Sequence, residues 1–168
     1  DKLLALAAVE HRQRIEQPTD IDVATLIDAA VAPFADGGVQ LRVETGDTAG
    51  LRLRGDAFLL RQLLSNLVDN ACDFSPADGV VDVTARRDGA QLRIVVADRG
   101  PGVPEYALPR VFERFFSLPR PDGRSRSSGL GLAFAAEVAT LHGGAVRLAQ
   151  RDGGGTCAIV ELPLSATG

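Results

Sequence analysis

The fold can be predicted from residues 56–74, DAFLLRQLLSNLVDNACDF, and the two segments that follow them. The apolar residues of 56–74 recur at helical spacing and make one face, Asp56 is a good N-cap, and Ser75-Pro76 ends the pattern. Segments 80–87 and 91–98 alternate apolar and polar residues, and Asp88-Gly89 between them is a strong hairpin signal. A long amphipathic helix beside a hairpin predicts a helix packed on a sheet.

The remaining segments extend this pattern. Apolar periodicity predicts helices at 1–17, 24–35 and 129–142, and strands at 19–23, 39–44, 51–54, 145–151 and 156–162. Because the strands pair mainly through hairpins, the helices are expected to cover a single face of the sheet. The sequence therefore predicts an α/β fold, a two-layer sandwich with a mixed, mainly antiparallel sheet and helices on one face.

The composition narrows the function classes. With 168 residues, 45% of them hydrophobic and 24% charged, the chain has the size and balance of one globular domain. A net charge of -4 argues weakly against a non-specific nucleic-acid binder. No apolar run approaches the roughly 20 residues that span a membrane. Lys2 is the single lysine, which excludes a P-loop, and two histidines leave little material for histidine-based metal or triad chemistry.

The long helix carries a polar stripe beside its apolar face. Asn66, Asn70 and Asp73 fall at i, i+4 and i+7. Asn is a mediocre helix former, so two of them on this stripe suggest oxygen ligands for a hard cation such as Mg²⁺. Surface amides that bond locally are an equally good interpretation of the spacing alone.

A glycine-rich turn follows the apolar strand at 92–97. In Asp98-Arg99-Gly100-Pro101-Gly102, a carboxylate at a strand end precedes two glycines, which let a flat ligand approach the backbone. The carboxylate can accept a hydrogen bond from an exocyclic amine such as that of adenine. A tight turn in which Asp98 caps its own backbone is the better interpretation of this motif when it is taken alone.

Two further signals lie closer to the C-terminus. Segment 127–132, SSGLGL, begins a helix whose free N–H groups offer a phosphate site, and it is not a dinucleotide fingerprint because no strand precedes it. Segment 119–128 is polar and typical of a lid, with Arg114, Arg120, Arg124 and Arg126 within reach of a bound phosphate. Glycines that serve only packing, and a solvated linker, are the alternatives.

The order and spacing of these motifs resemble a known family. Four motifs resemble, in order, the N, G1, F and G2 boxes of the catalytic and ATP-binding domain of bacterial two-component sensor histidine kinases. They are Asn66-x-x-x-Asn70, Asp98-x-Gly100-x-Gly102, segment 112–116 (FERFF) and segment 129–132 (GLGL). The resemblance covers about residues 19–164. More narrowly, the sequence is similar to that of the CreC-type sensor kinases. It implies the Bergerat (GHKL) fold, in agreement with the predicted sandwich.

The resemblance implies roles for the matching residues. Asn70 would bind Mg²⁺, Asp98 would accept a hydrogen bond from the adenine amino group, and Asn66 and Arg114 would be catalytic, both near the phosphates. The implied cofactors are ATP and Mg²⁺. The implied cofactor-binding residues are Asn66, Asn70, Asp73, Asp98, Gly100, Gly102, Arg114, Ser128, Gly129, Leu130, Gly131, Leu132 and Thr156.

Three positions depart from the family pattern. Asp73 stands where many relatives carry a basic residue that contacts phosphate, so an acid there should repel a triphosphate. Ser127 stands where a glycine is usual, which should stiffen the lid, and Phe74 lacks the hydroxyl of the more frequent Tyr.

Three functions are compatible with such a domain. An ATP-donating histidine kinase transfers the γ-phosphoryl to a histidine, mainly by positioning and charge neutralisation. The related ATPases carry a Glu four residues before the metal-binding Asn, as the general base for water. Here that position is Asn66, an amide, which disfavours hydrolysis. A non-catalytic nucleotide-binding module is disfavoured by the complete motif set, although Asp73 keeps it open.

The resemblance also implies an organisation and partners. Residues 1–17 would end a dimerisation and phosphoacceptor helix, with an independent surface helix as an equal alternative, 19–164 would be the catalytic domain and 165–168 a tail. The partners would be a phosphoacceptor domain and a response regulator, without membrane or nucleic-acid contact, in the cytoplasmic part of an inner-membrane sensor. His11 lacks an acidic neighbour directly after it, and His142 lies at a helix C-terminus that favours a cation, so we expect no self-phosphorylation.

Overall fold

Four α-helices and seven β-strands form within residues 2–12, 14–118 and 129–165, the parts of the chain that the computed structural model describes. In chain order they are α1 (Lys2–Glu10), β1 (Thr19–Asp22), α2 (Val23–Val31), β2 (Gln40–Glu44), β3 (Arg52–Gly55), α3 (Ala57–Phe74), β4 (Val80–Asp88), β5 (Gln91–Ala97), α4 (Gly131–Leu141), β6 (Ala145–Gln150) and β7 (Thr156–Pro163). Within these residues, no helix combines the length and the apolar character needed to cross a membrane.

Five strands form one sheet in the order β2-β4-β5-β7-β6. Strand β2 runs parallel to β4, and all other neighbours in this sheet are antiparallel. The predicted mixed, mainly antiparallel sheet is therefore confirmed. Strands β1 and β3 pair with each other in a separate two-stranded antiparallel sheet, which local periodicity did not predict.

The register of the central strands puts their apolar residues on one face. Val96 of β5 lies between Val83 of β4 and Ala158 of β7, and all three are buried. The leucines of α3 belong to the same buried cluster, together with apolar residues of α2 and α4. This common core confirms the predicted two-layer sandwich.

The ends of two helices differ from the prediction. Helix α1 ends at Glu10 rather than at Gln17, because residues 11–17 contain only Ile15 to continue an apolar stripe. Helix α2 ends at Val31, and the chain tightens into a 3-10 turn over Ala32–Phe34 with Pro33 near its start. Proline has no backbone N–H, so it favours such a turn over a continued α-helix. By contrast, α3 begins where expected, since the Asp56 side chain accepts a hydrogen bond from the Leu59 N–H at 3.0 Å.

His142 connects the end of α4 to the start of α3. Its Nδ1 lies 2.7 Å from the Val138 carbonyl oxygen, and its Nε2 accepts the Asp56 backbone N–H at 3.0 Å. Only a neutral imidazole with its proton on Nδ1 makes both bonds. Burial accordingly lowers the pKa of His142. The side chain is therefore neutral and joins the end of α4 to the start of α3, although a helix C-terminus favours a cation.

Candidate nucleotide-binding site

One pocket collects most of the predicted site residues. It lies between α3, the loop after β5, the segment before residue 118 and the start of α4. The predicted residues that line it are Asn66, Asn70, Asp73, Asp98, Gly102, Gly129, Gly131, Leu132 and Thr156. Gly100, Arg114 and Leu130 are not among its lining residues. Ser128 and the predicted lid at 119–128, with Arg120, Arg124 and Arg126, lie outside the described residues.

Asp98 lines this pocket and is itself buried, with 5% of its surface exposed. Its Oδ1 accepts hydrogen bonds from the backbone N–H groups of Gly100, at 2.9 Å, and Thr156, at 3.3 Å. Both of these bonds go to Oδ1, and Asp98 is one of the residues that line the pocket. The carboxylate therefore caps its own turn, as the turn interpretation predicts, and it also lines the cavity, so the ligand-binding interpretation stays a prediction. Burial is the main cause that raises the pKa of Asp98.

Close backbone packing holds this carboxylate in place. A Cβ atom on Gly100 would lie 2.3 Å from the Phe74 carbonyl oxygen at the end of α3. Gly155, at φ +109°, approaches even closer, because its Cβ would lie 2.1 Å from the Asp98 carbonyl oxygen. Only glycine fits these two approaches. Gly100 thus acts from behind the pocket wall, as an N–H donor and a packing site, rather than as a lining residue.

The polar stripe of α3 forms one side of the pocket. Asn66, Asn70 and Asp73 all line it, as does Asp69, which sequence reasoning missed although it directly precedes Asn70. The Asn66 Nδ2 lies 3.5 Å from the Gly131 carbonyl oxygen, which joins the stripe to the start of α4. The two amides therefore face the cavity rather than open solvent, as the cation-ligand interpretation of their spacing requires.

The start of α4 is fixed by the segment that precedes the lid. Gly129 has φ +73°, and its carbonyl oxygen accepts the Phe115 N–H at 2.9 Å. A Cβ on Gly129 would lie 2.4 Å from the Phe115 carbonyl carbon, so this crossing also requires glycine. Leu130 is buried in the core, while Gly131 and Leu132 line the pocket. The first turn of α4 thus lies at the cavity, and the N–H groups at a helix N-terminus favour anions.

Arg114 makes a contact that the sequence did not predict. Its guanidinium forms an ion pair with the Glu10 carboxylate of α1, and the side chain is exposed. This pairing lowers the pKa of Glu10 and raises that of Arg114, through the shared hydrogen bond first and through charge attraction second. In this arrangement Arg114 is directed to α1 and not to the pocket.

An apolar wall completes the cavity and was largely missed by sequence reasoning. Val103, Val111, Phe116, Leu118 and Leu148 line it. Val103 and Val111 belong to a small second core, on which Phe116 packs. Such a wall suits the face of an aromatic base. The aromatic segment 112–116 was the only signal for it, since a leucine within β6 looks like any other core residue.

The pocket also fits a hard cation that is shared with a ligand. Within the described residues, no group of three or more His, Cys, Asp or Glu side chains is arranged to hold a metal ion. Mg²⁺, however, commonly takes one or two protein oxygens and completes its shell with water and substrate phosphates. Asn70 and Asn66 offer amide oxygens on the lining, beside the carboxylates of Asp69 and Asp73. The oxygen chemistry of the donor set therefore suits Mg²⁺ bound together with a phosphate.

Comparison with known proteins identifies relatives along nearly the whole chain. Sensor protein CreC of Escherichia coli K12 is 40% identical over 166 residues, which make up 96% of this chain and 34% of CreC. Full-length ShkA, solved in complex with AMPPNP, matches 99% of this chain and 35% of its own, with 28% identity and a TM-score of 0.82. ThkA, solved in complex with the response regulator TrrA, matches 87% and 41%, with 26% identity and a TM-score of 0.73.

These comparisons show how much of its relatives' length the chain covers and to which family it belongs. The chain spans about a third of the length of CreC. A family model described as histidine kinase-, DNA gyrase B- and HSP90-like ATPase matches residues 55–166. This segment runs from the end of β3 through β7 and contains the pocket apart from Lys2. The chain therefore belongs to the family of histidine kinase-, DNA gyrase B- and HSP90-like ATPases, and the relatives that it matches along most of its length include sensor histidine kinases.

Proposed function

We propose that this chain binds ATP together with Mg²⁺ and donates the γ-phosphoryl group to a histidine on a dimerisation and phosphoacceptor domain, as part of two-component signalling. The observation that carries the proposal is the shared pocket. A buried carboxylate, an apolar wall, two amides and the first turn of α4 line the same space. These are the groups that an adenine base, a metal and a phosphate chain each require.

The base is assigned to the end of the pocket that Asp98 lines. Asp98 Oδ2 accepts a hydrogen bond from the exocyclic amine of adenine, because Oδ1 is already occupied by two backbone N–H groups. Guanine carries a carbonyl oxygen at the corresponding position, which a carboxylate repels. Leu148 and Phe116 cover the faces of the base. Gly102 leaves room beside Asp98, and Thr156 lines the same end.

The phosphates are assigned to the side formed by α3 and α4. The backbone N–H groups at the start of α4 bind phosphate oxygens. Asn70 holds Mg²⁺ through its amide oxygen, and Asn66 supports the metal or the phosphates. When bound, Mg²⁺ neutralises charge on the phosphate oxygens. Gly100 contributes by holding Asp98 in place, since its N–H donates a hydrogen bond to Asp98 Oδ1. Ser128 and Leu130 are proposed as further members of the binding set next to the start of α4, and Arg114 is the lid-side basic residue, available once its pair with Glu10 opens.

Kinase chemistry is favoured over hydrolysis by the residue at position 66. A related ATPase needs a carboxylate there to deprotonate water, and an amide has no such basicity. The matched relatives include sensor histidine kinases, which supports the same choice. A non-catalytic module is the weaker alternative, because each element of a nucleotide site is present in one pocket.

The phosphoacceptor is assigned outside these 168 residues. Both ring nitrogens of His142 are engaged, by Val138 and by Asp56, so neither is free to attack phosphorus. His11 follows α1 at an exposed position, with Arg12 directly after it in place of an acidic residue, and the preceding Glu10 is paired with Arg114. The donor and the acceptor of the phosphoryl group therefore belong to different domains.

This assignment extends to the organisation of the longer protein. Residues 1–17 are proposed to end a dimerisation helix, 19–164 to be the catalytic domain and 165–168 a tail, in the cytoplasmic part of an inner-membrane sensor. The ThkA structure holds a response regulator, which supports a response regulator as the downstream partner here. With a net charge of -4, the chain is not expected to bind nucleic acid.

Calorimetric titration tests the proposed function. ATP should bind with one site per chain, more tightly with Mg²⁺ than with EDTA, and GTP should bind far more weakly because Asp98 selects an amine. Absence of ATP binding with Mg²⁺ present would refute the assignment of the pocket. Equal affinity for ATP and GTP would refute the role given to Asp98.

A further inference from the structure

Helix α1 and the residues directly after it are docked on the domain by apolar contacts and by two ion pairs. Leu6 and Val9 are 0% and 3% exposed and belong to the main core, where α1 packs on α4. Glu10 pairs with Arg114, and Arg12 lies 3.8 Å from the Asp56 carboxylate. Apolar burial and two ion pairs therefore set the position of α1, although the helix lies outside the segment that the family model matches.

This docking brings Lys2 to the nucleotide pocket. Lys2 is exposed and lines the cavity together with Asn70 and Asp73. It is the only cationic side chain among the described lining residues, which also include the carboxylates of Asp69 and Asp98. A triphosphate brought into such an acidic cavity requires positive charge. Arg114, the other basic candidate in the described structure, is engaged by Glu10 of the same helix.

We propose that Lys2 is a phosphate-binding residue of the nucleotide site, so that α1 completes a pocket built by the rest of the domain. The inference rests on the proposed function. An ammonium group offers three donors on a flexible stem, which suits contact with phosphate oxygens at the mouth of a pocket. It supplies the positive charge that Asp73 does not provide, and it does so from α1 rather than from α3.

Charge-changing variants of Lys2 test this proposal by calorimetry, with MgATP and adenosine as the two ligands. Lys2→Gln removes the charge from an exposed side chain and should leave the fold intact. An exposed charged contact of this kind corresponds to about a fivefold loss of MgATP affinity. Adenosine affinity should stay unchanged, and Lys2→Arg should bind MgATP nearly as well as the unmodified chain. Arg42→Gln, which removes one exposed charge on β2 away from the pocket, is the matched control and should change neither affinity.

The outcomes separate this proposal from the proposed function. Unchanged MgATP affinity in Lys2→Gln, or an equal loss for MgATP and adenosine, would overturn the role of Lys2 while the nucleotide site stands. Absence of MgATP binding in the unmodified chain would instead refute the proposed function itself. Because Lys2 is the only lysine, acylation of its side chain gives a second readout. MgATP should slow this acylation severalfold and adenosine should not, whereas equal rates with both ligands would overturn the proposal.

Discussion

Replacing Asp98 by Asn separates the two roles of its side chain. The amide oxygen of Asn can still accept the N–H groups of Gly100 and Thr156, which now bond to Oδ1. The amide nitrogen then takes the place of Oδ2 and presents a donor to the pocket. An adenine amine is also a donor, so the ligand loses its acceptor. A hydrogen bond to a charged group contributes about 2 kcal/mol, which corresponds to roughly a 30-fold loss of ATP affinity.

The same substitution should not weaken the fold. Burial raises the pKa of Asp98 above its ordinary value of 3.8. A carboxyl with a higher pKa in the folded state binds more protons there, so its ionised form lowers the stability of the folded domain at pH 7. A neutral amide of the same shape removes this cost. The melting temperature of Asp98→Asn should therefore equal or exceed that of the unmodified chain.

Calorimetry and thermal melting on the same preparations check both statements. The expected result is weak ATP binding by a domain that melts no earlier than the unmodified chain. Unchanged ATP affinity would show that Asp98 is only a turn residue and would refute its role in binding. A clearly lower melting temperature would refute the account of its hydrogen bonds.

Three further substitutions test separate features. Gly155→Ala should lower the stability by at least about 2 kcal/mol more than Gly154→Ala, and it should weaken ATP binding. Both glycines have positive φ, but only Gly155 lies against the Asp98 backbone. Equal melting temperatures of the two variants would contradict this. His142→Ala should cost about 2 kcal/mol at pH 7.5, or some 4–8 °C of melting temperature, by leaving the Asp56 N–H without its acceptor. Since the pKa of His142 is lowered from 6.5, the stability that its neutral ring contributes is complete above pH 6.5 and is lost as the pH falls through the folded pKa. The melting temperatures of the variant and the unmodified chain should therefore differ less at pH 5. A difference that stays constant with pH would exclude a neutral imidazole at this position. Asp73→Lys should tighten ATP binding about fivefold and leave adenosine binding unchanged in calorimetry, and an unchanged ATP affinity would place Asp73 away from the phosphates.

Local patterns were sufficient for the main elements of the fold. Helix α3 has a cap, an apolar face and a stop in consecutive sequence, so its bounds could be predicted within a residue. The β4–β5 hairpin closes through Gly89 at φ +62°, as its Asp-Gly signal predicts. The parallel pairing of β2 with β4 and the separate β1–β3 sheet join segments far apart in sequence, and periodicity carries no information on such partners.

The polar part of the site was more predictable than its apolar part. Asn66, Asn70 and Asp98 stand out because folding alone does not demand amides on a helix stripe or a carboxylate at a strand end. Phe116 and Leu148 have the same character as core residues, so only the three-dimensional structure identifies them as pocket wall. Arg114 and Lys2 depend on how α1 packs, which follows from Leu6 and Val9 meeting α4 and not from any motif.

In the proposed function, this chain holds the phosphoryl donor and not the acceptor. The most direct measurement incubates it with γ-labelled ATP and Mg²⁺, first alone and then with a separate dimerisation and phosphoacceptor domain, with Asp98→Asn as the control. We expect no stable label on the chain alone, acid-labile label on the added domain, and a strong loss of that label with Asp98→Asn. Acid-labile label on the 168 residues themselves, or ATP binding without transfer to any cognate acceptor domain, would contradict it.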